Sequence, residues 1–422
     1  MKIESVITIK EILLKLREYY EKGYFVYDFD ALKDNQEPKG MIEISNPIWE
    51  KNRSFSINPL FEPKEAVYEG KFYLQTLFYL FGLWSFKYLT GNDYEMSLKD
   101  VKYPGLFQFF EKAMVDNYED RLSDFDEAEL YLEIAIDELS YKNYTKKESK
   151  RFDIEAITSI GMVRYENQDS FYADIKDENL IAVVADGMGG GSCGDVASKI
   201  ATNIIKLEFD NLLTIETDDT EDKLKDIILD INKKIINYKN NHNLKSMGTT
   251  ISVILIKDNT LFFANVGDSR IYVKYRDSEQ YTQITQDQSL AEVEYRNGNI
   301  TKEEKENMAK NVLAYVLGME DLSRENINST SDFQDNLKIE DIEDIILCCD
   351  GCWDLVECKD FNKDVKEILS IAQDKIMHDN TTIIKIKIKD TYKKQFFTMD
   401  TNTKMYLLPY IPKKEDGVED EK

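Results

Sequence analysis

The sequence predicts an α+β chain in which a mainly helical N-terminal part precedes a part where buried strands and helices mix. Three observations carry this. Apolar residues recur at helical spacing over Ile9–Tyr20, Leu74–Leu89 and Leu130–Leu139. After the polar, basic stretch Ser140–Arg151 (SYKNYTKKESKR), the pattern changes to short apolar runs rich in β-branched residues: Val183–Asp186, Thr250–Ile256, Leu261–Val266 and Ile345–Cys349. Ala197–Leu207 and Glu221–Asn237 then return to helical spacing among those strands.

The polar stretch reads as a linker, which divides the chain into residues 1–148, residues 149–390 and a polar, acidic tail at 391–422. The tail ends EDGVEDEK, a composition that buries too little apolar surface to order itself. A surface insertion or flap is expected over about 285–325, where TKEEKENMAK interrupts the strand-rich region. A length of 422 residues with 42% hydrophobic content supports more than one core. The most apolar stretch, Phe72 to Leu89, includes Gln75, Ser85 and Lys87, and reads as a buried helix rather than a membrane span. Met1-Lys2-Ile3-Glu4 leads into an amphipathic helix and not into a signal peptide.

A formal net charge of −26 argues against nucleic acid and anionic membrane as partners. It suits divalent cations and basic or neutral protein surfaces. The cysteines number five, and Cys348, Cys349, Cys352 and Cys358 crowd together. Cys348 and Cys349 lie in an apolar run and read as core. Cys349, Cys352 and Cys358 make a poor zinc set, because no histidine stands near them. The expected compartment is a reducing cytoplasm.

Four aspartates sit where apolar runs end or begin. LIAVVAD ends at Asp186, LFFANVGD at Asp268 and DIILCCD at Asp350, while the run of DNTTIIKIKI starts right after Asp379. A strand end is where a loop leaves a rigid sheet, so side chains there are held in fixed geometry. One such aspartate is ordinary turn chemistry. Four of them, in a chain with two histidines, point to an oxygen-ligand site for a hard divalent cation. RYENQD places Arg164 and Asp169 five residues apart before the run SFYADI. DGMGGGSCGDVAS puts Asp186 before a glycine-rich turn that opens a helix, and glycine lets backbone approach an anion or a bound water closely. SMGTT (Ser246 to Thr250) precedes a strand, and DGCWD (Asp350 to Asp354) follows one.

The order of these blocks resembles the metal-dependent protein phosphatases of the PPM or type 2C class, bacterial branch, over about residues 153–389. That branch opens with R-x-x-N-Q-D and continues with D-G-M-G-G. QITQDQSLAEVEYRNGNITKEE followed by NVLAYVLGM is similar to its flap and the helix after it. The resemblance implies a four-layer α-β-β-α sandwich, two antiparallel sheets flanked by helices. It further implies hydrolysis of phosphoserine and phosphothreonine by a hydroxide bridging two metal ions, Mg²⁺ or Mn²⁺, with a third ion held more weakly. Carried over, Asp186 would bridge the two ions with the Gly187 carbonyl assisting, and Asp169 would be an outer ligand through water. Asp350 and Asp379 would complete one ion's shell, and Asp268 would serve the third ion. Arg164 would grip the substrate phosphate, and Asn380 would support Asp379 from beside it.

Two features depart from the family, beside one position at which its branches differ. Met188 stands where the eukaryotic branch has a histidine, as in the bacterial branch. The flap block D-H-S reads Asp287-Gln288-Ser289 here, which bears on flap contacts to substrate. The interval from Asp350 to Asp379 is short, so a helix or loop there is expected to be trimmed.

Residues 1–148 resemble, in the order of their segments, the C-terminal lobe of a protein kinase. The segments are ILLKLREYYEKGYFVYDFD, GMIEISNP, FEPKEAVYEGKF, LFYLFGLWSFKYLTG and MVDNYEDRLS, with Tyr79, Gly82, Thr90, Gly91 and Arg121 at matching places. No glycine-rich nucleotide loop or strand lysine precedes them, and Tyr27-Asp28-Phe29 and Ser45-Asn46-Pro47 replace the catalytic motifs. The resemblance implies a pseudokinase-like docking or regulatory lobe. The other reading is an unrelated helical domain. For the whole chain the leading expectation is a protein-serine/threonine phosphatase acting on a phosphoprotein substrate, with a Ser/Thr kinase as a further partner. The alternative is a pseudophosphatase that binds phosphoproteins without turnover.

Overall fold

The computed structural model describes residues 2–45, 71–91, 101, 103–139, 143–164, 166–189, 193–309, 312–333, 337–389, 397–399 and 405–407. The FEPKEAV segment, Asn46-Pro47 and most of the acidic tail lie outside these residues.

The N-terminal part builds its own core. Helix Ile3–Glu21 buries Val6, Ile9, Leu13 and Leu16 along one stripe. Helix Leu74–Thr90 is apolar nearly all round and is buried from Thr76 through Phe86. Helices Pro104–Ala113 and Phe125–Leu139 complete the cluster, to which Phe81, Phe109, Phe110 and Tyr131 contribute fully buried rings. Two short strands, β1 (Tyr24–Val26) and β2 (Met41–Glu43), pair antiparallel beside it. Arg121 is buried, with its guanidinium 4.2 Å from the Tyr79 ring centre, and donates to the carbonyls of Val115 and Asp116. Among the described residues no helix is long and apolar enough to cross a membrane.

The remainder is a sandwich of two antiparallel sheets with helices on both outer faces. The strands are β3 (Tyr144–Glu148), β4 (Phe152–Ser159), β5 (Asp169–Lys176), β6 (Asn179–Met188), β7 (Gly248–Thr249), β8 (Ile251–Lys257), β9 (Thr260–Val266), β10 (Arg270–Tyr275), β11 (Tyr281–Gln283), β12 (Asn328–Ser329), β13 (Ile342–Cys348) and β14 (Thr381–Ile388). One sheet runs β11-β10-β13-β14-β4-β3 and the other β12-β9-β8-β6-β5, with β7 on β6. Alternation along β6 accounts for the uninterrupted run LIAVVA. Leu180, Ala182 and Val184 face the space between the sheets, while Ile181, Val183 and Ala185 face helices Cys193–Thr214 and Thr220–Asn241. In β13, Ile345 and Leu347 point inward and Ile346 and Cys348 point toward helix Val365–Asp374. A central strand covered on both sides has no reason to alternate with polar residues.

Tyr144–Glu148, inside the polar stretch read as a linker, hydrogen-bonds along β4 as the edge strand of the first sheet. The flap segment holds two short helices, Leu290–Arg296 and Lys302–Asn307, the second with a capping box between Thr301 and Glu304. Between Asp350 and Asp379 the chain is compact: helix Asp350–Trp353, a 3-10 turn at Cys358–Asn362 and helix Val365–Asp374.

Candidate metal and phosphate site

Sheet register brings the aspartates to one edge of the sandwich. Asp169 opens β5 and stands opposite Asp186 near the end of β6. Asp268 follows β9, Asp350 follows β13, and Asp379 precedes β14, the neighbour of β13. A cavity of about 220 Å³ opens there, lined by Arg164, Asp186, Gly187, Asp268, Asp350, Asp379 and Asn380 among others. The structure thus brings together the residues singled out in the sequence. Asp169 lies just behind them, 6% exposed, within 4.8 Å of donor atoms of Asp186 and Cys349.

Several of these aspartates are anchored by neighbouring groups, most of which the sequence did not single out. Asp186 is fixed through its backbone: its N–H donates to Thr250 Oγ1 (3.0 Å), and its carbonyl accepts from Thr249 Oγ1 (2.9 Å) and from Thr250 N (2.8 Å). This gives the SMGTT block a role, since two threonines at a strand start clamp the adjacent strand's end. Gly187 is a steric requirement, because a Cβ there would lie 2.2 Å from the carbonyl oxygen of Gly194. Asp169 Oδ2 accepts from Thr382 Oγ1 at 2.6 Å. Asn380 links three segments: it donates to the carbonyls of Ile160 (2.8 Å) and Glu166 (3.0 Å), and its side-chain oxygen accepts from Gln168 N (2.8 Å). Its own N–H donates to Asp379 Oδ1 at 2.8 Å.

Around Asp268 the support comes from Trp353, whose Nε1 donates to the Asp268 carbonyl at 3.0 Å. The Arg270 guanidinium stacks 3.4 Å from the Trp353 ring centre and forks onto Asp287. Gln288, the family's histidine position, points inward. It accepts from Gly267 N (2.9 Å) and donates to the Asn326 carbonyl (2.7 Å), tying the start of the flap to the Asp268 turn. Cys349 is core, as expected, and it also packs against the carboxylates, with its thiol receiving Thr382 N at 3.1 Å. Cys358 is exposed, away from that arrangement.

The electrostatics are those of a crowded anionic pocket. Burial, with neighbouring carboxylates adding to it, pushes Asp169 and Asp268 up to about 7. Burial and then Asp169 and Asp350 hold Asp186 well above the usual carboxylate range, and burial and then Asp379 raise Asp350. Asp169 Oδ1 and Asp350 Oδ1 are buried without a hydrogen-bond partner among the described residues. A carboxylate cluster of this kind, with orphaned oxygens, fits a divalent cation held by oxygen donors. Arg164 is the cation of the set. It is half-exposed on the turn between β4 and β5, with Nη2 2.6 Å from Asp379 Oδ2.

The chain is similar to several known proteins. The serine/threonine phosphatase stp of Listeria innocua is 38% identical over 169 residues, which are 39% of this chain and 66% of that protein. Its Listeria welshimeri counterpart is 32% identical over 222 residues, 51% of this chain and 84% of that protein. The crystal structure of the Staphylococcus aureus serine/threonine phosphatase Stp1 superposes with a TM-score of 0.49 at 28% identity, covering 56% of this chain and 94% of that one. The family model for protein phosphatase 2C matches residues 164–382, from Arg164 to the start of β14. That match spans just over half of the 422 residues and every strand-end aspartate, and the chain belongs to the protein phosphatase 2C family, the metal-dependent serine/threonine protein phosphatases.

Proposed function

We propose that this chain hydrolyses phosphoserine and phosphothreonine in proteins, using Mg²⁺ or Mn²⁺. The observation that carries the reading is the convergence of Asp186, Asp268, Asp350 and Asp379 with Arg164 around one cavity. Asp186, the Gly187 carbonyl, Asp350 and Asp379 would hold two ions, with Asp169 contributing from behind and Asp268 serving a third. Divalent cations in such a site supply Lewis acidity, activating water and neutralising phosphoryl charge.

The chain's own residues do the rest. Arg164 presents a planar fork of N–H donors to two phosphate oxygens, and its exposure leaves it reachable by a phosphorylated side chain of a protein. No histidine, serine or cysteine lines the cavity among the described residues, and its one hydroxyl, Thr250, already bonds Asp186 N and Ser269. The pocket therefore offers no side chain suited to a phosphoserine, phosphocysteine or phosphohistidine intermediate, and with its carboxylates engaged on cations the reading favours direct attack by water. Thr249, Thr250, Thr382 and Asn380 fix the carboxylates and the Arg164 turn before substrate arrives, which is what a positioning-dominated phosphoryl transfer needs.

The N-terminal part we read as a docking or regulatory domain, pseudokinase-like in the order of its segments, with a partner Ser/Thr kinase as the natural counterpart of a phosphatase. Its separate aromatic core supports treating it as a unit. The phosphatase domain then runs from the edge strand Tyr144–Glu148 to about residue 390, with 391–422 as its tail. The cysteines, three of them buried, form no disulfide among the described residues, which suits the cytoplasm.

The pseudophosphatase alternative is separated by incubating full-length chain with a phosphothreonine peptide and Mn²⁺ while following both binding and free phosphate. Phosphate release on repeated turnover supports the enzyme. Saturable binding with no release would replace it with the binding module.

A further inference from the structure

The turn that presents Arg164 is held from two sides. From the sandwich, Asn380 grips the carbonyls of Ile160 and Glu166, and Met162 N donates to the Met377 carbonyl at 2.7 Å. From the N-terminal domain, Gln108 Nε2 donates to the backbone carbonyl of Arg164 itself, at 2.6 Å. Gln108 is only 4% exposed, so this is a protected bond and not a surface contact.

The element that carries Gln108 is closely packed. It lies on helix Pro104–Ala113, which packs backbone to backbone on helix Phe125–Leu139: a Cβ on Gly105 would fall 2.4 Å from the Tyr131 carbonyl oxygen and 2.5 Å from Ala135 N. Gly105 N also donates to Glu138 Oε2 at 3.2 Å. Phe107, the residue before Gln108, packs against both the N-terminal core and the cluster beneath helix Val365–Asp374. Gln108 stands outside residues 164–382, which the family model matches, so the bond is a property of this chain's added domain.

We propose that Gln108 is a positioning residue for Arg164, through which the N-terminal domain sets the phosphate grip of the phosphatase site. The proposal rests on the phosphatase reading for its kinetic consequence and on geometry for the contact. Gln108 touches no reacting atom. By fixing the Arg164 carbonyl it narrows the backbone states of an exposed turn, so the guanidinium reaches a phosphate from one starting place. Any partner that shifts helix Pro104–Ala113 is then read out at Arg164.

The test uses the full-length chain with Mn²⁺ and a phosphothreonine peptide. Gln108→Met keeps the side-chain length and removes the donor. Loss of one neutral hydrogen bond of ordinary strength is expected to raise KM about fivefold with little change in kcat. Gln108→Glu, which sets an oxygen against the carbonyl, is expected to move KM further in the same direction. In an Arg164→Ala background, Gln108→Met is expected to add nothing, because the two residues act as one unit. An unchanged KM in an active chain, or an equal rise with and without Arg164, would overturn the proposal. Peptide affinity measured by titration gives a readout that needs no turnover. A chain that releases no phosphate yet loses affinity on Gln108→Met would sink the phosphatase reading and keep the positioning role.

Discussion

Arg164 and Asp379, 215 residues apart in sequence, form an ion pair with Nη2 2.6 Å from Oδ2. The pair closes the edge of the sandwich between the turn after β4 and the residue that enters β14. It places the proposed phosphate-binding guanidinium directly beside a carboxylate proposed as a cation ligand. A phosphate held there would meet the Arg164 fork on one side and the carboxylates proposed to hold cations on the other.

Arg164→Ala should therefore lower kcat/KM on a phosphothreonine peptide by about 10- to 100-fold, the worth of a charge-assisted hydrogen-bonding group. Arg164→Lys should recover only part of it, because an ammonium lacks the planar fork. With its side chain 53% exposed, Arg164 should contribute little to folding, and an unchanged melting temperature in both variants checks this. Full activity in Arg164→Ala would remove the residue from the site.

Thr382→Val tests the support behind Asp169. The substitution keeps shape and removes the one hydroxyl that donates to Asp169 Oδ2, at 2.6 Å, in a carboxylate whose other oxygen is already without a partner among the described residues. Supports of ligating carboxylates typically carry about 10–100-fold in metal affinity or activity. Mn²⁺ titration of the activity should show half-saturation moved upward by an amount in that range. An unmoved midpoint would mean that Asp169 needs no orientation.

Acidity supplies a third expectation. Asp169 and Asp268 are pushed up to about 7 by burial and neighbouring carboxylates. Unfolded aspartate titrates near about 3.9. A folded value above the unfolded one means that the folded state holds its protons more tightly. The associated stability is complete below about pH 4 and is lost as pH rises through about 7. In EDTA the melting temperature should fall between pH 5 and pH 8. With saturating Mn²⁺ the same carboxylates are paired, so the gain in melting temperature from the metal should be larger at pH 8 than at pH 6. A gain that shrinks with pH would contradict the assignment of these carboxylates to a cation.

Met188 lines the same cavity where a histidine stands in the eukaryotic branch. If water supplies the leaving-group proton, Met188→His should leave metal-dependent phosphate release in place. Complete loss with the fold intact would point to a more direct role for this position.

The candidate site was legible because central strands covered on both faces write uninterrupted apolar runs, and the aspartates stand at the ends of those runs. Asp186, Asp268, Asp350 and Asp379 could be read from that alone, and the order of blocks added Asp169 and Arg164. Asn380 was expected beside Asp379, but the other supports were not legible. Thr382 and Thr250 look like ordinary strand residues, and only pairing across β14, β4 and β6 shows what their hydroxyls reach. Edge strands hid for the opposite reason: Tyr144–Glu148 has one hydrogen-bonded neighbour and is partly exposed along its length, so it is written in polar residues and reads as a linker. The three-residue strands β1 and β2 are too short to carry a period. Gln108 sits in an apolar helix 56 residues before Arg164, and nothing local links the two.

The central claim is that these aspartates hold the cation on which hydrolysis depends. It is tested most directly by phosphate release from a phosphothreonine peptide, measured with Mn²⁺ and with EDTA, for the full-length chain and for Asp350→Asn. The account predicts release that requires Mn²⁺ and is abolished by Asp350→Asn, a change that keeps the side chain's size and removes its charge. Release that persists in EDTA, or in Asp350→Asn at the same rate, would contradict it.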